Sequence, residues 1–269
     1  MSEATETSPE GERVAKLIAR AGICSRRDAE RLIAEGRVAV DGRVLDSPAL
    51  NVRPGQRVTV DGRPLPQAEP ARLFRYHKPK GVVTTARDPE GRKTIYDTLP
   101  LEADLPRLMP VGRLDIASEG LLLLTNDGEL KRKLELPSTG WLRRYRARIF
   151  GHPDEADLRR LAAGITVDGV SYGSIEAKLD RLQGDNAWIT VSLREGRNRE
   201  VRRALEYLNL TVNRLIRVAY GPFQLGLLEE RAFEEVRPKV LKEQLGAFMT
   251  APEQKAPPHH LRPQQQRRG

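Results

Sequence analysis

A proline-punctuated stretch at residues 62–71, with Pro64, Pro66 and Pro70, divides this chain into two unequal parts. Proline fixes φ and has no amide to donate, so neither a helix nor an inner strand runs through such a segment, and it reads as a linker. A small unit at 13–61 and a larger one at 72–246 are therefore expected. The flanks 1–12 and 247–269 are polar, rich in Pro or Gln and without periodicity, and read as disordered tails.

In the small unit, Val14, Leu17, Ile18 and Ala21 recur at helical spacing until Gly22. Ser25 is placed to cap a second helix that runs through Leu32 and Ile33 to a stop at Gly36. Val38 and Val40 then alternate into Asp41-Gly42, and Val58 and Val60 into Asp61-Gly62, each an extended segment entering a tight turn. A helix pair on a small sheet follows. Ser25, Arg26, Arg27 and Arg31 gather at the start and outer side of the second helix, where a helix N-terminus and guanidinium groups can both face phosphates. A solvated basic face gives the same pattern.

The larger unit offers strand-like stretches at Leu73 to His77, Leu121 to Thr125, Tyr145 to Phe150, Ile165 to Val167, Ala187 to Leu193 and Val212 to Val218. Helical stretches are fewer, at Glu129 to Leu134, Asp154 to Ala163 and Arg199 to Leu208. Strands with irregularly spaced helices predict an α+β fold on a mixed or antiparallel sheet. Val-Asp-Gly recurs at 40–42, 60–62 and 167–169 with unequal spacing, which points to reused turn chemistry and not to a repeat.

Composition narrows the function. Of 46 basic residues 36 are Arg, and the net charge is +9; Arg grips phosphate bidentately and stacks on bases, so the bias favours a nucleic acid partner, although an Arg-rich proteome produces it too. No apolar run approaches the ~18 residues of a membrane span. The acidic, polar start MSEATETSPEGE is no secretory leader, and the lone Cys24 has no internal disulfide partner, so a reducing cytoplasm is expected. No phosphate-binding Gly-rich loop ending in Lys-Ser/Thr, no His-Glu-x-x-His and no cysteine pair is present, and His77, His152, His259 and His260 lack partners at ligand spacing. The expectation is a protein with no metal and no cofactor.

Three stretches carry candidate chemistry. In Val111 to Gly128 a polar loop with Gly112, Arg113, Asp115 and Gly120 runs straight into an apolar strand, which gives Asp115 rigid support as nucleophile or base; a loop Asp that caps nearby amides would look the same. In Arg143 to Ile149 a period of two turns Tyr145, Ala147 and Ile149 inward and Arg144, Arg146 and Arg148 outward, so Tyr145 is either core or a stacking surface for a base. In Leu193 to Arg203 a basic run enters a helix whose stripe is Val201, Leu205 and Leu208. Arg202 lies at the stripe's edge, able to reach inward, whereas Arg199 and Arg203 point away.

Taken with His77-Lys-Pro-Lys-Gly81, Glu119 to Gly128, Glu195 to Arg203 and Leu215 to Gly221, these stretches resemble the pseudouridine synthases, in particular the branch that modifies ribosomal RNA. The resemblance covers about residues 72–240. Residues 13–60 resemble the small RNA-binding module first described in a small-subunit ribosomal protein. Asp88-Pro-Glu-Gly91 and the unbroken Glu195 to Arg203 run look most like the members that act on large-subunit (23S) RNA; those for small-subunit (16S) RNA share most motifs. Leu228-Glu-Glu-Arg231 departs from the family, replacing a turn that usually contains glycine.

The resemblance implies a reaction in which a flipped uracil leaves its ribose, rotates and reattaches through carbon, with no cofactor. It makes Asp115 the nucleophile, Tyr145 the stacking platform, Arg202 the partner of Asp115, Arg113 the filler of the space the base leaves, and Leu215 a core residue near the pocket. The implied partner is ribosomal RNA or a pre-ribosomal large subunit, met by a monomer. A non-catalytic assembly factor that kept the fold is the competing reading, and the joint presence of Arg113, Asp115, Tyr145 and Arg202 favours the enzyme.

Overall fold

The computed structural model of the chain describes residues 11–100 and 105–246. The small unit packs α1 (Val14–Arg20) and α2 (Arg26–Ala34) over β1 (Val38–Val40) and β2 (Val58–Val60). Val14, Ala15, Ile18, Ala29 and Ile33 meet the inward valines of both strands in one buried cluster. Helix α2 starts where expected, because the Ser25 hydroxyl accepts the Asp28 amide at 3.1 Å and donates to the Asp28 carboxylate at 2.6 Å. Both Asp-Gly pairs turn left-handed, with φ of 49° and 82° at Asp41 and Gly42 and 49° and 74° at Asp61 and Gly62. That is what a two-residue hairpin turn demands, and Asp168-Gly169 repeats it between Ile165–Val167 and Val170–Tyr172.

Two expected boundaries shift. Glu12, assigned to the tail, pairs with Val52, and its carboxylate takes Lys16 and Arg20, each at 2.9 Å. The linker also begins later than residue 62, since Arg63–Pro64 pairs with β2 and Leu65 packs on the small core. Pro64 is tolerated because it lies on the edge of that sheet, where no amide donation is needed. The remaining tail residues, 1–10 and 247–269, lie outside the described residues.

In the larger unit the strands are β3 (Leu73–Lys78), β4 (Glu119–Thr125), β5 (Arg143–Phe150), β6 (Ile175–Gln183), β7 (Asn186–Leu193), β8 (Thr211–Tyr220) and β9 (Phe233–Glu235). They follow the order β6-β7-β5-β8-β4-β3-β9 in a sheet of nine strands among the described residues. Neighbours are antiparallel except β8 and β4, which run parallel with Arg217 opposite Gly120. The fold is thus α+β on a mixed sheet, as the sequence predicts. At that parallel crossing a Cβ on Gly120 would stand 2.4 Å from the Arg217 carbonyl oxygen, so only glycine fits.

The run Leu121 to Leu124 has no polar side because β4 is covered on both faces. Leu122 and Leu124 join a core with α4 (Glu155–Arg160) and α5 (Glu200–Tyr207), whereas Leu121 and Leu123 face α3 (Gly128–Glu135) and α6 (Pro238–Leu245). At the departure from the family pattern the chain still turns: Arg231 adopts φ 68° in place of a glycine, and its amide donates to the His77 carbonyl at 2.9 Å.

Candidate active site

Between the short strand Met109–Val111 and β4 the chain loops through Gly112 to Ser118, and its main-chain groups are taken up one after another. The Glu135 carboxylate of α3 accepts the Gly112 amide at 2.6 Å. The Thr84 hydroxyl accepts the Leu114 amide at 3.2 Å and donates to the Leu114 carbonyl at 2.8 Å. Gly81 donates its amide to the Ile116 carbonyl at 2.7 Å, and Arg202 donates Nη2 to the Ala117 carbonyl at 3.0 Å. The Lys78 ammonium donates to the carbonyls of Pro79, Asp115 and Ser118 at 3.1, 3.2 and 2.8 Å, which uses all three of its protons.

A loop fastened from α3, β3, α5 and the 79–84 segment holds its geometry without help from a ligand. Its free end is the half-buried carboxylate of Asp115, which is bonded to no other group among the described residues. Asp115 opens onto a cleft of about 260 Å³ shared with Arg113, Tyr145 and Leu215. A neighbouring lobe of about 450 Å³ shares Arg113, Asp115, Asn198 and Arg199 and continues past Thr84 and Arg87.

The expected side chains arrive as follows. Tyr145, Ala147 and Ile149 point inward from β5 while Arg144 and Arg146 are exposed, and Arg146 lies 4.8 Å from the centre of the Trp188 ring. Tyr145 and Leu215 are buried in the cleft wall, and Arg113 is exposed at the mouth of both lobes. Arg199, in a left-handed turn, lies exposed at the rim, and Arg203 bonds the Tyr172 hydroxyl at 3.3 Å.

Arg202 is placed differently from expectation. Among the described residues no ion pair joins it to Asp115; its buried guanidinium instead bridges the Val212 carbonyl at 2.8 Å and the Ala117 carbonyl of the Asp115 turn. Burial and the Arg199 charge lower its pKa, with Asp115 and Glu206 opposing. The two residues therefore communicate through charge and through the turn, not through a direct contact.

In the small unit Ser25 is consumed by its cap, and Asp28 adds a negative charge where a phosphate was expected. Arg31 pairs with Asp28 and Glu35 at 3.4 and 3.7 Å. Arg26 and Arg27 are exposed and have no partner among the described residues.

Lys78 and Thr84 are two site residues to which the sequence motifs assign no role. For Lys78 a signal was present: with Phe74 and Tyr76 it occupies the inward register of β3, where a charged residue needs a reason. Burial lowers its pKa to about 8, against the pull of Asp115 and Glu119 and with the push of Arg217. Among the described residues no group of three His, Cys, Asp or Glu side chains is placed to hold a metal ion, and no helix is long and apolar enough to cross a membrane.

The RNA pseudouridylate synthase family profile matches residues 72–207, and the S4 domain profile matches 12–58. A Rickettsia felis protein named an uncharacterized RNA pseudouridine synthase is 45% identical over 234 residues, covering 86% of this chain and 99% of its own. The ribosomal large subunit pseudouridine synthase B of Shigella flexneri is 42% identical, with 80% of this chain and 75% of that one covered. Its Haemophilus influenzae counterpart is 43% identical, over 80% of this chain and 62% of that one. A crystal structure of a pseudouridylate synthase superposes with a TM-score of 0.60 at 26% identity, covering 87% of this chain and 99% of that one. The chain belongs to the RNA pseudouridine synthase family, and it carries an S4 domain ahead of the catalytic one.

Proposed function

We propose that this enzyme converts a uridine of large-subunit (23S) ribosomal RNA to pseudouridine, working on naked RNA or an early pre-ribosomal particle in the cytoplasm, as a monomer and without cofactor. The observation that carries the reading is the free Asp115 carboxylate on a loop fastened on every side, facing a cleft with Tyr145 in its wall. The choice of subunit is supported by the relatives at 42–44% identity that are named for the ribosomal large subunit.

In this reading the target base swings out of its stack, and Arg113 at the mouth fills the space it leaves. Asp115 acts on the ribose, adding to C1′ or removing the 2′ proton, and the C1′–N1 bond breaks. Tyr145 stacks on the detached uracil, a contact worth roughly 1–3 kcal/mol, while Leu215 walls the pocket. The ring turns, C1′ bonds to C5 as its bond to Asp115 breaks or, by the other route, as the 2′ proton returns, the C5 proton departs and N1 gains one. Lys78 and Arg202 hold the turn that aims Asp115. The S4 domain adds grip through Arg26 and Arg27.

The test is a parallel assay on 16S RNA, 23S RNA and mature large subunits, read by pseudouridine-specific chemical labelling. Modification of 23S RNA, with mature particles poor substrates and 16S RNA untouched, is expected. Preferential modification of 16S RNA would move the enzyme to the small subunit and leave the roles of Asp115 and Tyr145 standing.

A further inference from the structure

Four buried side-chain atoms among the described residues lack a hydrogen-bond partner: Asn51 Oδ1, Glu200 Oε1, Arg202 Nε and Arg217 Nη2. Glu200 and Arg217 both line the Asp115 cleft, and their orphan atoms are opposite in kind, an acceptor and a donor. Each side chain is anchored at its other end. Glu200 Oε2 accepts the Arg197 amide at 2.9 Å, and Arg217 Nε donates to the Leu121 carbonyl at 2.7 Å with its guanidinium 5.1 Å from the Tyr220 ring centre. Glu200 is 3% exposed and Arg217 2%, so water competes for neither. A buried polar atom left unpaired costs about 1–3 kcal/mol, which a ligand of matching pattern recovers.

We propose that Glu200 and Arg217 read the edge of the flipped uracil, Glu200 Oε1 accepting from N3–H and Arg217 Nη2 donating to O4, whose place O2 takes once the ring has turned. The proposal rests on the uridine-isomerising reading of the cleft. The proposal requires that small side-chain adjustments, common on binding, bring both atoms to the ring.

The chemistry of the reaction favours this pair. Uracil presents acceptor, donor, acceptor at O2, N3 and O4. Exchanging N1 for C5 beneath C1′ is a half-turn about the axis through N3 and C6. That turn leaves N3–H where it was and swaps the two carbonyls. The same acceptor and donor therefore satisfy the ring before and after it rotates, and serve as its pivot while it is detached. Cytosine fails at both points, because its N3 is an acceptor facing a carboxylate and its exocyclic amine is a donor facing a guanidinium. Discrimination by unpaired buried groups is the strong kind. Burial and the Glu195 charge raise the pKa of the Glu200 carboxyl against the opposing Arg197 amide and the Arg197 and Arg143 charges, and because the Arg197 amide occupies Oε2, the acceptor left for the base is Oε1.

The experiment is single-turnover pseudouridine formation by the full chain on 23S RNA fragments that carry uridine, N3-methyluridine or 4-thiouridine at the modified position. In the wild type N3-methylation is expected to slow the reaction on the order of 100-fold and 4-thio substitution about 10-fold. Glu200→Ala is expected to be slow on uridine, with the N3-methyl penalty cut to below ~10-fold and the thio penalty kept. Arg217→Met does the reverse, with the thio penalty falling to below ~3-fold. Should Glu200→Ala not fold by circular dichroism, Glu200→Gln, which keeps the shape, must still shrink the N3-methyl penalty severalfold. Variants that lose equal rate on all three substrates would overturn the proposal and leave both residues as supports. A wild type that makes no pseudouridine in any RNA would instead bring down the underlying reading, and that result is visible before any variant is made.

Discussion

The Lys78 ammonium donates at once to the main-chain carbonyls of Asp115 and Ser118, at 3.2 and 2.8 Å, so one buried cation ties β3 to both ends of the turn that presents the Asp115 carboxylate. The charge sits where burial opposes it. Its function as a three-proton donor and its effect on stability therefore respond to pH with opposite signs.

The folded-state pKa of Lys78 is lowered to about 8, below the ordinary 10.5 that the unfolded chain keeps. Between those values the unfolded state holds a proton that the folded state has released, so the stability due to Lys78 rises with pH across that window, by up to about 3 kcal/mol. Activity is expected to fall over the same range, since a neutral amine has two protons for three carbonyls. Lys78→Met should abolish this part of the pH slope of urea stability and lower turnover more than RNA affinity. A variant with the wild-type slope would show that Lys78 does not titrate there.

Asp115→Asn keeps the size of the side chain and every main-chain bond of the loop. It is expected to retain the fold and RNA affinity and to lose isomerisation by on the order of 10³-fold or more. Labelling of the modified RNA checks it, and substantial turnover by the Asn variant would remove Asp115 from its role. Activity should also be indifferent to chelators; a loss that added metal restores would contradict the cofactor-free reading.

For Arg202 the structure turns an expected ion pair into a brace. Its two nitrogens reach the Val212 and Ala117 carbonyls in different directions, which a lysine ammonium on a single stem does not reproduce. Arg202→Lys, though it keeps the charge near Asp115, should lose about 1–3 kcal/mol of stability and fall in turnover nearly as far as Arg202→Met. Full activity in the Lys variant would mean that charge alone is what Asp115 needs.

Much of this was legible because it depends on local chemistry. The Asp-Gly turns, the Ser25 cap and the inward Tyr145 each follow from a residue and its immediate neighbours. What escaped depends on tertiary placement. Strand β6 has only Ile175 buried and an irregular pairing between Leu179 and Arg181, so its alternation is broken. The bracing of the Asp115 loop by Glu135, Thr84 and Lys78 joins residues far apart in sequence, and the destination of the Arg202 guanidinium was set by which carbonyls the turn leaves open. Helical periodicity turned Arg202 inward and the family resemblance paired it with the Asp115 carboxylate, and hydrogen-bond supply redirected it.

The S4 domain gives the last prediction. Arg26 and Arg27 stand exposed with no acidic partner among the described residues, whereas Arg31 is held between Asp28 and Glu35. Replacing Arg26 and Arg27 together by Ala should weaken RNA binding and reduce the slope of log affinity against log salt by about 1.4, roughly 0.7 for each single-strand phosphate that is no longer neutralised. Arg31→Ala should change the slope less, because that side chain is already neutralised. Removing the whole domain has to include Leu65, which packs on the small core, and to spare Arg72, which pairs with Glu235 of β9 at 2.6 Å, so a cut after Pro66 is the one expected to leave a folded enzyme that still isomerises uridine. Filter binding across a salt series separates these outcomes. An unchanged affinity and slope in the double variant would show that this face of the domain does not touch RNA.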